Sequence, residues 1–273
     1  MGIYCGGKVA LIDLHSHILP GIDDGPEDIY GAVEMAGMAA RDGVRIMVAT
    51  PHYASGLYEN GPDIVDAGVA ALNEVLAGEN IDLTVLPGME IRVNPDAARM
   101  YREGGLISLN RRGRHVLLDF PLITFPLHLD RVIFDMQLAG ATVIIAHPER
   151  NKEICKCPEM LYPLLERGVL VQVNAGSLTG EFGPGAQRSA ELFLKLGWVS
   201  FIATDAHSAR YRRPGLSAAV EAAGRIVGKE KARVLVATNP ERVIQGLPVS
   251  GCKVMPYENK KSRFSVFFSW LKG

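Results

Sequence analysis

No apolar run in this 273-residue chain comes near the roughly 20 residues that a membrane-spanning helix needs. Its start, Met1-Gly2-Ile3-Tyr4-Cys5, lacks the basic region and apolar stretch of a secretory signal. A soluble, cytoplasmic protein is therefore expected. Charge in excess is also missing: 29 Lys and Arg against 30 Asp and Glu leave a formal net charge of −1, so there is no electrostatic case for nucleic-acid binding. Cysteine is scarce. Cys5, Cys155, Cys157 and Cys252 are expected as free thiols. The pair Cys155 and Cys157 lacks the two further partners that a zinc site would need. Internal repeats and low-complexity stretches are absent.

Several catalytic devices are excluded in the same way. Phosphatases that use a cysteine nucleophile need an arginine six positions later; here Leu11, Leu161, Pro163 and Glu258 stand there. No G-x-x-x-x-G-K-[ST], G-x-G-x-x-G or G-x-S-x-G sequence occurs.

What the chain does have is a rhythm. Seven apolar, β-branched runs, at 8–14, 44–50, 82–87, 114–119, 141–146, 169–174 and 198–203, alternate for the most part with helical patterns. The helical patterns fall at 27–42, 63–76, 127–138, 158–167 and 187–196, several ending at Gly, with closing helices at 217–228 and 230–237 and a last short one from Asn239 to Gly246. Nearly continuous apolar character suits strands buried on both faces, and alternation with helices suits a parallel α/β sheet. Each run ends in or beside a group that could bind a metal or an anion: His15 and His17, His52, Glu90, Asp119, His147, Asn174, and Asp205 with His207. A β/α barrel builds its site from the C-terminal ends of its strands and typically has about 250 residues. The expectation is one barrel over residues 1–246, followed by a basic, aromatic tail at 247–273. The tail is read as packing on its own barrel, with an interfacial anchor giving peripheral membrane contact as the alternative.

His15 and His17, at i and i+2 on a strand, share a face. With Asp24, His52, Glu90, Asp119, His147, Asp205 and His207 they make a candidate multi-metal site, whereas His115 and His128 are read as structural. Four carboxylates in one cleft are costly, since two charges 5 Å apart repel by roughly 3 kcal/mol at an effective dielectric near 20. Two divalent cations would neutralise them, and a third would make the cluster positive, which suits a dianionic phosphate monoester. Arg150 and either Arg212 or Arg213 could grip phosphate oxygens in a fork. Water activated by a metal is then the obvious nucleophile. The mixed His and carboxylate ligands suit manganese, iron or zinc.

The sequences Asp13-Leu14-His15-Ser16-His17, Asp23-Asp24-Gly25-Pro26, Ala49-Thr50-Pro51-His52, Gly88-Met89-Glu90-Ile91, Ala146-His147-Pro148-Glu149-Arg150 and Ala203-Thr204-Asp205-Ala206-His207 resemble the PHP (polymerase and histidinol phosphatase) superfamily. The likeness is greatest to bacterial manganese-dependent protein-tyrosine phosphatases of the CpsB/CapC type, and runs from about Ile12 to Val243. The resemblance implies an α/β fold, a distorted (β/α)7 barrel of the PHP type, with two or three manganese ions. It implies that His15, His17, Glu90 and Asp205 hold one ion, that Glu90 bridges to a second with Asp119 and His147, and that Asp24, His52 and His207 hold the third. Arg150 and Arg213 match the phosphate-binding arginines, Arg213 because Pro214 follows it, with Arg212 as the substitute. Asp119 departs from the family, which usually has Glu there. The implied substrate is phosphotyrosine in a protein, a bacterial tyrosine autokinase that controls capsule or exopolysaccharide synthesis. The rival expectations are a PHP phosphatase for a small metabolite such as histidinol phosphate, a non-catalytic regulatory protein, and a phosphodiesterase or nuclease.

Overall fold

The computed structural model describes residues 4–5, 8–112, 114–249 and 254–257. Its strands, in chain order, are β1 (Tyr4–Cys5), β2 (Lys8–Val9), β3 (Leu11–Ser16), β4 (Val44–Ala49), β5 (His52–Ala54), β6 (Tyr58–Glu59), β7 (Thr84–Pro87), β8 (Glu90–Arg92), β9 (His115–Asp119), β10 (Thr142–Ala146), β11 (Leu170–Asn174) and β12 (Phe201–Ala203). The architecture is mixed α/β with parallel sheets. One sheet has the order β3-β4-β7 and another β12-β11-β10-β9-β8-β5-β6. The pairings are parallel except β5 with β6 and the separate β1–β2 ladder. Two chain segments serve both sheets. β4 and β5 are parted only by Thr50-Pro51, and β7 and β8 only by Gly88-Met89. At the far edges, Ser16 bridges to Ala206 in parallel. There, His17 N–H donates to Ala206 O at 2.8 Å and Asp205 N–H to His15 O at 2.8 Å.

The strands are apolar on both faces because each face meets a different core. Val116, Leu118, Val143, Ile145, Val171 and Val173 join the large cluster shared with the helices. Their neighbours Leu117, Ile144, Ala146 and Leu170 join a smaller cluster with Ile12, Leu14, Val48 and Phe201. Val243 and Ile244, from the last helix, Asn239–Ile244, close that smaller core. On β11 the residues at alternate positions change from apolar Leu170 to polar Gln172 and Asn174 on approaching the C-terminal end.

Boundaries differ from expectation in places. The first run is split: Lys8–Val9 pairs backwards with Tyr4–Cys5, and the parallel strand starts at Leu11. The run at 198–203 is strand only from Phe201, since Trp198 is instead packed on Phe193. The segment 158–167 is a 3₁₀ turn, Pro158–Leu161, leading into the short helix Tyr162–Glu166. The β5–β6 hairpin was not anticipated, although the turn residues Ser55-Gly56 signal it, with Gly56 at φ 78°. Before the tail's basic aromatic stretch, Met255 O accepts from the Trp198 indole at 2.8 Å; residues 258–273, on which the expectation of packing or membrane contact falls, lie outside the described residues. No helix among the described residues is long and apolar enough to cross a membrane.

Candidate metal centre

All nine ligand-type residues named from the sequence converge in one region, where β3, β4, β7, β9, β10 and β12 end. His15 lies in β3 with His17 just beyond it, His52 and Glu90 open β5 and β8, Asp119 ends β9, and His147 follows β10. Asp205 and His207 follow β12, and Asp24 comes from the loop after β3. Four groups of candidate ligand atoms each lie within 4.8 Å of one another: His17, Asp24, His52 and His207; His15, His147 and Asp205; His15, His17 and Glu90; and His52, Glu90 and Asp119. Glu90 is the hub. Its carboxylate is 3.4 Å from Nε2 of His15 and of His17, 2.8 Å from His52 Nδ1 and 3.0 Å from His147 Nε2. Asp24 sits 3.3 Å from Nε2 of both His52 and His207.

The surroundings orient these rings for coordination. His17 Nδ1 donates to Asp23 at 2.6 Å, His15 Nδ1 to Gln172 Oε1 at 3.0 Å, and His207 Nδ1 to the Asp205 carbonyl at 2.9 Å. In all three rings, Nε2 is left facing the cluster. Metal-binding histidines are held in this way, with the other ring nitrogen tied to a carboxylate or carbonyl. The Gln172 amide in turn donates to Asn174 Oδ1 at 2.8 Å, and the Asn174 amide to Asp205 Oδ2 at 2.6 Å, so the outer hydrogen bonds run from His15 round to Asp205. Asp13, fully buried, accepts from Thr204 N–H at 3.0 Å, from the Thr204 hydroxyl and from His15 N–H at 3.3 Å, which joins the first strand to the last. Burial pushes its carboxyl up to about 6, against these hydrogen bonds.

Gly25 explains how the Asp23-Asp24 pair reaches the site. A Cβ there would lie 2.1 Å from His17 O, so only glycine lets the loop fold down onto β3. The backbone is also left-handed at His147 (φ 34°), Asp205 (φ 54°) and Arg212 (φ 49°). For residues other than glycine such conformations cost roughly 1–3 kcal/mol and gather at functional sites.

The electrostatics ask for cations. Burial opposes ionisation throughout, yet the His207 and His52 contacts hold Asp24 well below the usual carboxylate range. The histidines do the same for Glu90 and, with Arg212, for Asp205. Burial also disfavours the charged imidazole of His52, but contacts to Asp24 and Glu90 raise it to about 9. Asp119 is pushed the other way, upward, by burial and by Glu90. Glu90 Oε2, Asp205 Oδ1 and His207 Nε2 are buried, and despite their close histidine and carboxylate neighbours none makes a well-aligned hydrogen bond. Unsatisfied buried polar atoms are costly, and these three point into one cluster of N and O donors. The residues present fit divalent metal ions.

The arginines are placed unequally. Arg150 donates to Asp205 Oδ2 at 2.9 Å and lies 4.1 Å over the Phe182 ring. Arg212 also pairs with Asp205. Arg213 is exposed and lines a cleft with Met38, Arg41, Asp42 and Pro214 instead. The reason is local: Arg212 N–H is tied to Glu181 at 3.1 Å and its carbonyl to His207 N–H at 3.0 Å, and its left-handed backbone turns the loop so that Arg212 faces the centre. Sequence reasoning gave no role to Asp23, Gln172, Thr204 or Arg92; only the Asp-Asp doublet carried a signal for any of them. Arg92 is paired with Asp119 at 2.7 Å, while the nearest His147 nitrogen is 4.0 Å from that carboxylate.

His128 directly precedes the helix Leu129–Leu138. His115 is 1% exposed, neither ring nitrogen has a hydrogen bond, and burial, with the Arg114 charge, pushes it down to about 4. A depressed imidazole contributes stability that is fully present above about pH 6.5 and is lost as pH falls through about 4. His115→Leu is therefore expected to lose less stability than the parent between pH 6.5 and 4, by up to roughly 3 kcal/mol in urea melts. Parallel decline of the two proteins would show that His115 does not titrate in this window.

Fold and site together define an α/β protein with strand-end histidines and carboxylates suited to several metal ions. The description "Capsular polysaccharide synthesis, CpsB/CapC" matches residues 11–245, and the chain belongs to that family. It is 40% identical to the tyrosine-protein phosphatase YwqE of Bacillus subtilis over 202 residues, covering 74% of this chain and 79% of that protein. A solved structure from work on YwqE and on CpsB from Streptococcus pneumoniae, described as unique metal-dependent tyrosine phosphatases, superposes with a TM-score of 0.87 at 35% identity, covering 91% of this chain and 100% of that one. The phosphotriesterase homology protein of Escherichia coli shares the fold at a TM-score of 0.55 and 10% identity, covering 86% of this chain and 99% of that one.

Proposed function

We propose that this protein is a metal-dependent phosphoric-monoester hydrolase acting on phosphotyrosine in proteins, built as a distorted (β/α)7 barrel closed at the Ser16–Ala206 bridge. The observation that carries the reading is a cluster of four carboxylates and five histidines, buried except for exposed Asp24 and half-buried His52, with two arginines directed at one of its carboxylates, Asp205. The relatives named as tyrosine phosphatases support the substrate. In this reading His15, His17, Glu90 and Asp205 hold one ion, Glu90 with Asp119 and His147 a second, and Asp24, His52 and His207 a third, with manganese as the metal. Bound ions would supply an activated water and offset the charge of the phosphate. Arg150 and Arg212 would leave Asp205 to hold the equatorial phosphate oxygens, so that the tyrosyl leaving oxygen points away from the side of attack. Asp23, Gln172 and Asn174 keep the histidine and carboxylate donors in place. The partner would be a tyrosine autokinase of capsule or exopolysaccharide synthesis, met in the cytoplasm.

The test is hydrolysis of a phosphotyrosyl peptide and of histidinol phosphate by metal-stripped protein, with manganese, iron or zinc added back. Restoration by manganese with preference for the peptide supports the reading. Preference for histidinol phosphate would replace it with a metabolite phosphatase, and no hydrolysis under any metal would favour a regulatory protein. Arg150→Ala and Arg212→Ala should each lower kcat/KM by about 100-fold, the scale of losing one donor to transition-state charge. Arg213→Ala should change it less than about threefold, since a surface substitution away from the site has little to remove.

A further inference from the structure

Beside the metal centre runs a groove of about 730 Å³, and Arg150 belongs to both. One wall is the short helix Lys152–Lys156, whose Lys152 and Lys156 lie one turn apart. The other is the helix Gly183–Lys195, which contributes Arg188. These three cations are exposed, and none forms an ion pair among the described residues. Like charges at i and i+4 repel, so Lys152 and Lys156 do not support their own helix. The lining also includes the apolar side chains of Leu122, Phe182 and Leu192. Among the described residues the one acid in the lining, Glu149, does not offset them. It is 0% exposed, and its carboxylate accepts from Asn174 N–H at 2.9 Å and from Ser177 at 2.6 Å. A chain with a net charge of −1 has thus gathered unpaired positive charge along the path leading away from Arg150.

We propose that this groove binds the polypeptide flanking the phosphotyrosine, and that it selects acidic residues there. The proposal rests on the phosphotyrosine reading above. With the phosphoryl group held by Arg150 at one end, the adjoining chain enters the groove, where Lys152, Lys156 and Arg188 pair with Asp or Glu side chains and the apolar lining residues take their neighbours. A small phosphorylated metabolite would leave the groove unfilled. Charge complementarity and continuity with the metal centre through Arg150 name the occupant.

The experiment compares phosphotyrosyl peptides with Asp and Glu on both sides of the tyrosine against matched peptides carrying Asn and Gln. The enzymes are the manganese-loaded parent and the variant K152Q/K156Q/R188Q, and p-nitrophenyl phosphate, which has no flanking chain, reports on the metal centre alone. The parent should favour the acidic peptide by roughly tenfold, mainly in KM, the scale of three solvent-exposed ion pairs, and added salt should reduce the preference. The variant should lose that preference while p-nitrophenyl phosphate hydrolysis stays within about twofold of the parent's. Equal turnover of both peptides by the parent, or a preference that survives in the variant, overturns the groove's role while leaving the phosphatase reading intact. An oligonucleotide that competes with the acidic peptide as well as a second acidic peptide does would overturn the choice of occupant. If neither peptide nor p-nitrophenyl phosphate is hydrolysed, the phosphatase reading falls and the proposal falls with it.

Discussion

Glu90→Gln is expected to lower kcat/KM for a phosphotyrosyl peptide by more than roughly 1000-fold, beyond the 10- to 100-fold loss typical of residues that only support a metal ligand. Glu90 is 1% exposed and lies within 3.4 Å of ring nitrogens on His15, His17, His52 and His147. Among the described residues no other carboxylate pairs with all four of these histidines; Asp205 reaches His15, His17 and His147 but not His52. Glutamine keeps the shape but turns one acceptor oxygen into an NH₂ donor and removes a full negative charge. Two candidate ion positions share this one residue, so both should weaken together. Metal analysis after gel filtration should show less metal per chain than in the parent, with the circular dichroism spectrum unchanged. Full metal content and activity within tenfold of the parent would sink the bridging role. Gln172→Ala provides the graded comparison, since it removes only the partner of His15 Nδ1 and should fall in the 10- to 100-fold range.

The second large effect is on stability. Trp198→Ala should cost about 3–5 kcal/mol, the range for truncating a large buried aromatic. Trp198 is 1% exposed, stacks on Phe193 with centroids 5.5 Å apart, and meets Tyr162 and Tyr257 at 6.2 and 6.5 Å. Its indole N–H donates to Met255 O at 2.8 Å, so the same substitution removes the packing partner of the segment Val254–Tyr257. Equilibrium urea unfolding should show a lower midpoint with a similar slope. Trp198→Phe, which keeps the ring contacts but lacks the donor, should recover most of the loss. A cost below about 1 kcal/mol for the alanine variant would mean that the site collapses around the gap, since the penalty scales with the cavity left behind.

Which ligands would meet was legible because strand ends are marked twice in the sequence. An apolar, β-branched run stops, and a histidine or carboxylate follows. The runs at 114–119, 141–146 and 169–174 became β9, β10 and β11 within a residue, since strands buried on both faces leave few other readings. Eight of the nine ligand-type residues followed from the same rule, because a parallel α/β sheet brings the ends of its strands together, whereas Asp24 arrives on the loop that Gly25 folds down after β3.

Other features depend on contacts between residues far apart in the chain. Asp13 is an ordinary strand residue until Thr204, 191 positions later, donates to it twice. Gln172 reads as a polar interruption of a core strand until His15 needs an acceptor. Arg212 and Arg213 are chemically identical neighbours. Only the left-handed turn at Arg212, tied down by Glu181 and His207, decides which of them faces Asp205. Arg92 likewise becomes relevant only when β8 pairs with β9 and sets it opposite Asp119. Periodicity and residue type are local properties of the chain, and they were enough to anticipate the mixed α/β class and the histidines and carboxylates that gather at the strand ends. The tertiary structure decided which groups orient those donors, which arginine faces the centre, and where unpaired positive charge collects beside it, because hydrogen bonds and ion pairs between distant segments exist only once the strands have assembled.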